Sequence, residues 1–286
     1  MRLTGQWKMD AMSTMRQRLH EIGLDRLAAA IQARSQPSLR LITGKAGAQA
    51  VGRLGGRPNL PKDIPWPVWL DEQPLSFIAQ LDLATLPPVR GLPLPRSGSL
   101  FFFYDAVTQP WGFDPKDKGC AKAVYSRSAL AAHPPRVPHR DLDEEARFKG
   151  MALNATPEIS LPSANSGFLR ELHATKEELE AYWKLMDPLK GPVYRMGGHA
   201  DQIQRDLCLE AQLVTNGIYC DGGGFDRGRK KGLDAGAVDW RLLLQVDSEQ
   251  RTGMYWGDSG RLYFMIHKDD LRHRRFDNVW LILQCT

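Results

Sequence analysis

The short signatures that name a reaction are missing from this sequence. It holds neither a Gly-x-Gly-x-x-Gly turn nor a Gly-x-x-x-x-Gly-Lys loop, so no dinucleotide fold or P-loop is expected. Its seven histidines (His20, His133, His139, His173, His199, His267 and His273) are scattered, without a His-Glu-x-x-His pair or other short ligand set. No metal and no cofactor is therefore expected from the sequence. A Gly-x-Ser-x-Gly elbow is also missing, and no residue takes a catalytic role from a motif.

Cysteine is scarce. Cys120, Cys208, Cys220 and Cys285 lie far apart with no Cys-x-x-Cys pair, which excludes a disulfide framework and suits reduced, buried thiols. No stretch approaches 18 apolar residues, so no spanning helix is expected. Asp10 and Glu21 interrupt the early apolar residues, so no signal peptide is expected, and the chain is placed in the cytoplasm. The net charge of +5 comes from 38 basic and 33 acidic residues, without a basic stripe. The densest cluster, Arg227, Arg229, Lys230 and Lys231, is flanked by Asp226 and Asp234. It reads as solvated surface, and neither a nucleic acid nor a membrane is an expected partner.

What remains is ordinary globular composition with many turn residues, 26 glycines and 19 prolines. Residues 10–33 have helical spacing (Met12, Met15, Leu19, Ile22, Leu27, Ile31), with Gly23 placed to split them. Strands are expected over Leu75–Leu83, Ser99–Tyr104 and Lys122–Ser126. The run Leu100–Tyr104 is too apolar to face water on either side and reads as central. The stretch Arg127–Ser166 is broken by proline and gives no clear element. Thr175 and Glu178 have capping-box spacing at the start of a helix to Met186, which Pro188 stops. Residues 201–215 fit helix or strands equally, and Asp221–Asp239 reads as a mobile, Gly-rich loop. Strands at Trp240–Val246, Leu262–Ile266 and Asn278–Cys285, with a short helix at Lys268–Arg274, complete the chain.

Two parts of the chain match each other. Leu75–Asp82 lies over Trp240–Asp247, both ending in Gln-apolar-Asp, and Gly98–Phe102 lies over Gly260–Phe264. Upstream, Arg53-Leu54-Gly55-Gly56 lies over Arg195-Met196-Gly197-Gly198. The first two matches are offset by 165 and 162 residues, the third by 142, so the second half carries an insertion, placed at Asp221–Asp239. Such fixed-order similarity predicts an α+β, strand-rich, internally duplicated two-lobed fold with an N-terminal helical segment and flanking helices. The expected division is a helical segment 1–50 and one domain 51–286, with halves 51–135 and 190–286 linked by 136–189.

Several residues stand out as candidates for ligand binding. Gly55-Gly56 beside Arg57 and Gly197-Gly198 beside His199 present backbone N–H groups to an anion or simply make tight turns. Gln80 and Gln245 sit in apolar strands, on the same face as Asp82 and Asp247, and either cradle a polar ligand or fasten strand ends. Trp111 and the run Trp256-Gly257-Asp258 supply aromatic candidates for a cleft. His199 with Asp201, or His267 with Asp269, are further candidates for a site assembled in space.

Leu54-Gly55-Gly56-Arg57-Pro58-Asn59-Leu60-Pro61, Trp66-Pro67 and Pro74-Leu75-Ser76-Phe77-Ile78-Ala79-Gln80-Leu81-Asp82-Leu83 together resemble the bacterial YwqG-like family. So do Gly98–Phe103, Gln245-Val246-Asp247, Trp256–Gly260 and Arg275-Phe276-Asp277, from Val51 to the C-terminus. The resemblance implies a cytoplasmic two-lobed α+β protein and names no activity. Relatives in toxin–immunity neighbourhoods imply a protein-binding role. The expectation is a monomer or weak homodimer that binds a small molecule or protein in a cleft between its halves. The alternative is an enzyme, hydrolase-like, with a catalytic set assembled across them.

Overall fold

Gly23 ends the first helix as its place in the pattern predicts. In a computed structural model that describes residues 3–44, 50–186, 192–221 and 224–286, α1 (Leu3–Glu21) stops just before Gly23. Gly23 takes φ +76°, and the Gly23 and Leu24 N–H groups donate to the carbonyls of His20 and Leu19. The chain restarts as α2 (Asp25–Arg34). Leu19, Leu24, Leu27 and Ile31 are buried against Phe168, Leu169 and Tyr182 from the middle of the chain.

The segment that follows is a strand, β1 (Gln36–Gly44), inside the stretch read from sequence as helical. Then come β2 (Gly52–Leu54), β3 (Val68–Trp69), β4 (Gln73–Pro74), β5 (Ser76–Asp82), β6 (Ser99–Tyr104) and β7 (Ala121–Ser126). The stretch that gave no clear element holds the ten-residue β8 (Met151–Ser160). After it lie α3 (Phe168–Glu171), α4 (Lys176–Met186), β9 (Tyr194–Met196), α5 (Leu207–Thr215) and α6 (Gly224–Lys230). The chain ends with β10 (Trp240–Asp247), β11 (Arg261–His267), α7 (Lys268–Arg272) and β12 (Trp280–Gln284).

One ambiguous expectation is settled, one is corrected and one is met. Residues 207–215 are helix, because Asp206 accepts the N–H groups of Cys208 and Leu209 as an N-cap. The Asp221–Asp239 region is not a bare loop: it carries α6 and a 3₁₀ turn, Asp234–Asp239. The start of α4 is the predicted capping box, with the Thr175 N–H on Glu178 Oε2 at 2.9 Å and the Glu178 N–H on Thr175 Oγ1 at 3.2 Å. Pro188, expected to stop α4, and Gly222-Gly223 of the predicted loop lie outside the described residues.

Ten strands form one antiparallel sheet in the order β12-β11-β10-β9-β1-β8-β2-β5-β6-β7, so the fold is α+β with helices at its N-terminus. At its centre β1 pairs with β8 along its whole length, from Gln36 opposite Ser160 to Gly44 opposite Ala152. A four-strand meander lies on either side. Alternation then sorts the side chains. Leu100, Phe102 and Tyr104 of β6 share a core with Leu262, Phe264 and Ile266 of β11. The Phe102 and Phe264 rings meet edge to face at 5.1 Å, so the sheet curls until its two arms pack together. On the other face, Phe101 and Phe103 pack with Trp66 and Leu60, while Tyr263, Met265 and Ile282 pack under α5. The run Leu100–Tyr104 is thus buried on both faces, as its composition required.

Candidate functional site

The two Arg-apolar-Gly-Gly turns make the same structure. Arg53 of β2 lies opposite Gln80 of β5, and Arg195 of β9 lies opposite Gln245 of β10. Gly55, Gly56, Gly197 and Gly198 all have positive φ, where a side chain would be strained. A Cβ on Gly55 would lie 2.5 Å from the Lys149 carbonyl oxygen, so this turn is filled by protein.

Beyond the glycines each turn is closed by the glutamine of the next strand. Gln80 accepts the Asn59 N–H at 2.7 Å and donates to Asn59 Oδ1 at 2.7 Å. Gln245 accepts the Asp201 N–H at 2.9 Å and donates to Asp201 Oδ2 at 3.0 Å. The arginines complete the clasp, Arg53 donating to the Arg57 carbonyl and Asn59 Oδ1, Arg195 to the His199 carbonyl and Asp201 Oδ2. Of the two uses open to these glutamines, the geometry is that of fasteners. Both are fully buried, and their amides are occupied by the turns.

The other candidates are dispersed. Asp82 caps its own loop by accepting the Ala84 N–H. Asp247 accepts the N–H groups of Val193 and Ser248 and the Nε–H of Arg261. Burial raises its pKa above the usual aspartate value despite the opposing Arg261 charge and these hydrogen bonds. Trp256 is wholly buried between Tyr104 and Phe148. The Trp111 carbonyl accepts the Leu283 N–H at 3.0 Å, so residues 111–113 cover the β12 edge. Arg57 and Asp258 are exposed on the surface. His199 is half-buried with its ring Nε2 2.7 Å from the Arg34 carbonyl, and burial lowers its pKa. His267 and Asp269 form a surface pair at 3.7 Å. The expected cleft between the halves is where the Phe102–Phe264 core packs.

Open space lies elsewhere. A cavity of about 910 Å³ sits on the outer face of β1, β8 and β9, roofed by α1 and α4. Met15 of α1, Leu161, Ala164 and Trp183, Leu185 and Met186 of α4 form its apolar side. Its floor is charged: Arg40, Glu158, Arg195, Asp201 and Arg261. Of these five, only Asp201 is a candidate from the sequence. Arg195 stood in the repeat, but Arg40 and Glu158 belong to β1 and β8, which have no counterpart there.

The floor is a linked set of ion pairs. Arg195 donates to Glu158 Oε1 and Asp201 Oδ2, both at 2.5 Å. Arg40 Nε reaches Glu158 Oε2 at 3.0 Å, and Arg261 Nε reaches Asp247 Oδ2 at 3.0 Å. The Asp201 carbonyl accepts Arg261 Nη1 and the Tyr263 hydroxyl. Burial pushes the Asp201 carboxyl up, but the charge and hydrogen bond of Arg195, with Gln245 and Arg261, hold it below the usual range. Removing one partner of such a set leaves a buried charge exposed to an apolar surrounding. Among the described residues, no three His, Cys, Asp or Glu side chains are grouped to hold a metal ion. Among the described residues, no helix is long and apolar enough to cross a membrane.

Residues 52–285 match the family described as a domain of unknown function, DUF1963. The chain belongs to the DUF1963 family. This is the YwqG-like family that its motifs resemble. No curated protein matches the chain. The DUF1963 span contains both clasps and the floor residues Glu158, Arg195, Asp201 and Arg261. Arg40, Met15 and Arg18, which complete the cavity, precede it.

Proposed function

We propose that this DUF1963 protein is a small-molecule binding module built from two copies of one strand unit. In this reading β2, β5, β6 and β7 form one copy and β9, β10, β11 and β12 the other, joined by the β1–β8 pair. The two clasps support it, and so does a register break two residues before each glutamine, between Phe77 and Ala79 and between Leu242 and Leu244. Helices α5 and α6 fall between β9 and β10, where the repeat offsets call for an insertion.

Duplication leaves the clasp with a structural task in both halves and frees the junction for binding. The observation that carries the binding reading is the cavity itself, about 910 Å³ with an apolar wall and a charged floor. Ligand sites are concave and mainly apolar, with a few convergent polar groups, and this volume is of drug-sized-ligand scale. Native mass spectrometry of freshly purified protein, set against its denatured mass, tests the proposal. A retained mass in the wild type that is lost in Ala164→Trp, which fills the cavity, is expected. A retained mass unaffected by Ala164→Trp, or no mass retained or taken up from a metabolite extract, would overturn it.

A further inference from the structure

The ion pairs of the floor do not use all of its hydrogen-bond donors. Arg195 commits Nε and Nη1, and among the described residues nothing accepts from its Nη2, although its side chain is only 6% exposed. Arg261 commits Nε and Nη1, and its guanidinium also hydrogen-bonds the Tyr263 hydroxyl. Arg40 commits Nε alone and leaves both terminal nitrogens. All three arginines line the same cavity. None of these nitrogens is a fully enclosed atom without a partner, so each has accessible space beside it. A guanidinium presents its N–H groups in a planar fork that suits an oxyanion, so the incomplete forks of Arg40 and Arg195 around one space select a ligand with anionic oxygen.

The charge balance limits how much negative charge is accommodated. Arg40, Arg195 and Arg261 are matched by Glu158, Asp201 and Asp247, so the floor is close to neutral before anything binds. Arg18 and Lys184, both exposed, add two positive charges at the lining. A monoanion gains from these and from the open donors, whereas a more highly charged group meets the carboxylates of Glu158 and Asp201. Opposite the floor, Met15, Leu161, Leu185, Met186 and Trp183 offer apolar and aromatic surface to the rest of the molecule.

We infer that the cavity takes an amphipathic organic monoanion, its carboxylate on the arginine floor and its apolar body beneath α1 and α4. This rests on the reading of the cavity as a binding site. The test compares two fluorescent probes of nearly the same shape, the monoanionic 8-anilinonaphthalene-1-sulfonate and the uncharged N-phenyl-1-naphthylamine. The wild type is expected to bind about one sulfonate probe per chain, displaced by dodecanoate at a concentration at least tenfold below that of dodecanol. Arg40→Met should weaken the sulfonate probe at least fivefold and leave the uncharged probe within twofold. Arg18→Gln, at an exposed position, should weaken the sulfonate probe about twofold and serves if Arg40→Met fails to fold. Equal binding of both probes, unchanged in these variants, would overturn the monoanion and leave the cavity reading intact. Binding of neither probe, with no effect of dodecanoate on thermal unfolding, would overturn both.

Discussion

Gln80 and Gln245 are buried amides whose oxygen and nitrogen are both taken by the turn they close. Replacing either with alanine leaves a backbone N–H without its acceptor and takes one donor from an amide or carboxylate oxygen, a loss of about 2–3 kcal/mol. Gln245→Ala is expected to be the more harmful, because Asp201 is a carboxylate whereas Asn59 is a neutral amide. Denaturant unfolding checks this, and an unchanged midpoint in either variant would contradict the clasp. Glu210 of α5 gives a pH dependence. Burial pushes its carboxyl up to about 7, against the pull of Arg205 and Gln284. The folded protein therefore holds a proton that the unfolded chain has released, and stability falls as pH rises from the ordinary glutamate range to about 7. Glu210→Gln should remove that fall, with a gain on the order of 2–3 kcal/mol at pH 8 and little change near pH 4. Parallel unfolding curves at the two pH values would show it; equal effects at both would refute it.

Helix α4 supplies one wall of the cavity, and its position depends on its first turn. The Thr175–Glu178 box closes that turn, and Glu178 also binds Arg26 of α2, tying the two helices together. Thr175→Ala should lower stability by about 1 kcal/mol, read as a lower denaturant midpoint with unchanged slope. The sequence displayed this box because capping is local chemistry. It displayed β5, β6, β10 and β11 because strands buried on both faces read as unbroken apolar runs. It hid β1 and β8. In Met151–Ser160 only Leu153 and Ser160 are buried, and Asn154 and Pro157 interrupt any alternation. Their pairing is a long-range fact, set by a partner more than 100 residues away. Arg40 and Glu158 were hidden for the same reason, since each is ordinary in its own segment and becomes a site residue only through that pairing. Gln80 and Gln245, drawn from the repeat, have their amides taken up by the turns they close.

In the whole molecule, four strands flank the central β1–β8 pair on either side, and the cavity lies over that pair, away from the apolar core where the outer strands meet. This arrangement explains why Trp256 and the paired glutamines, prominent in the sequence, serve packing. It also brings the residues before position 52 to the cavity, since α1 and β1 contribute Met15, Arg18 and Arg40 to its lining. Hydrogen exchange, measured with and without 8-anilinonaphthalene-1-sulfonate at saturation, tests where binding occurs most directly. The account predicts slowed exchange in peptides covering residues 158–164, 183–186 and 193–196, with β6 and β11 unchanged. Protection confined to other parts of the chain would contradict it.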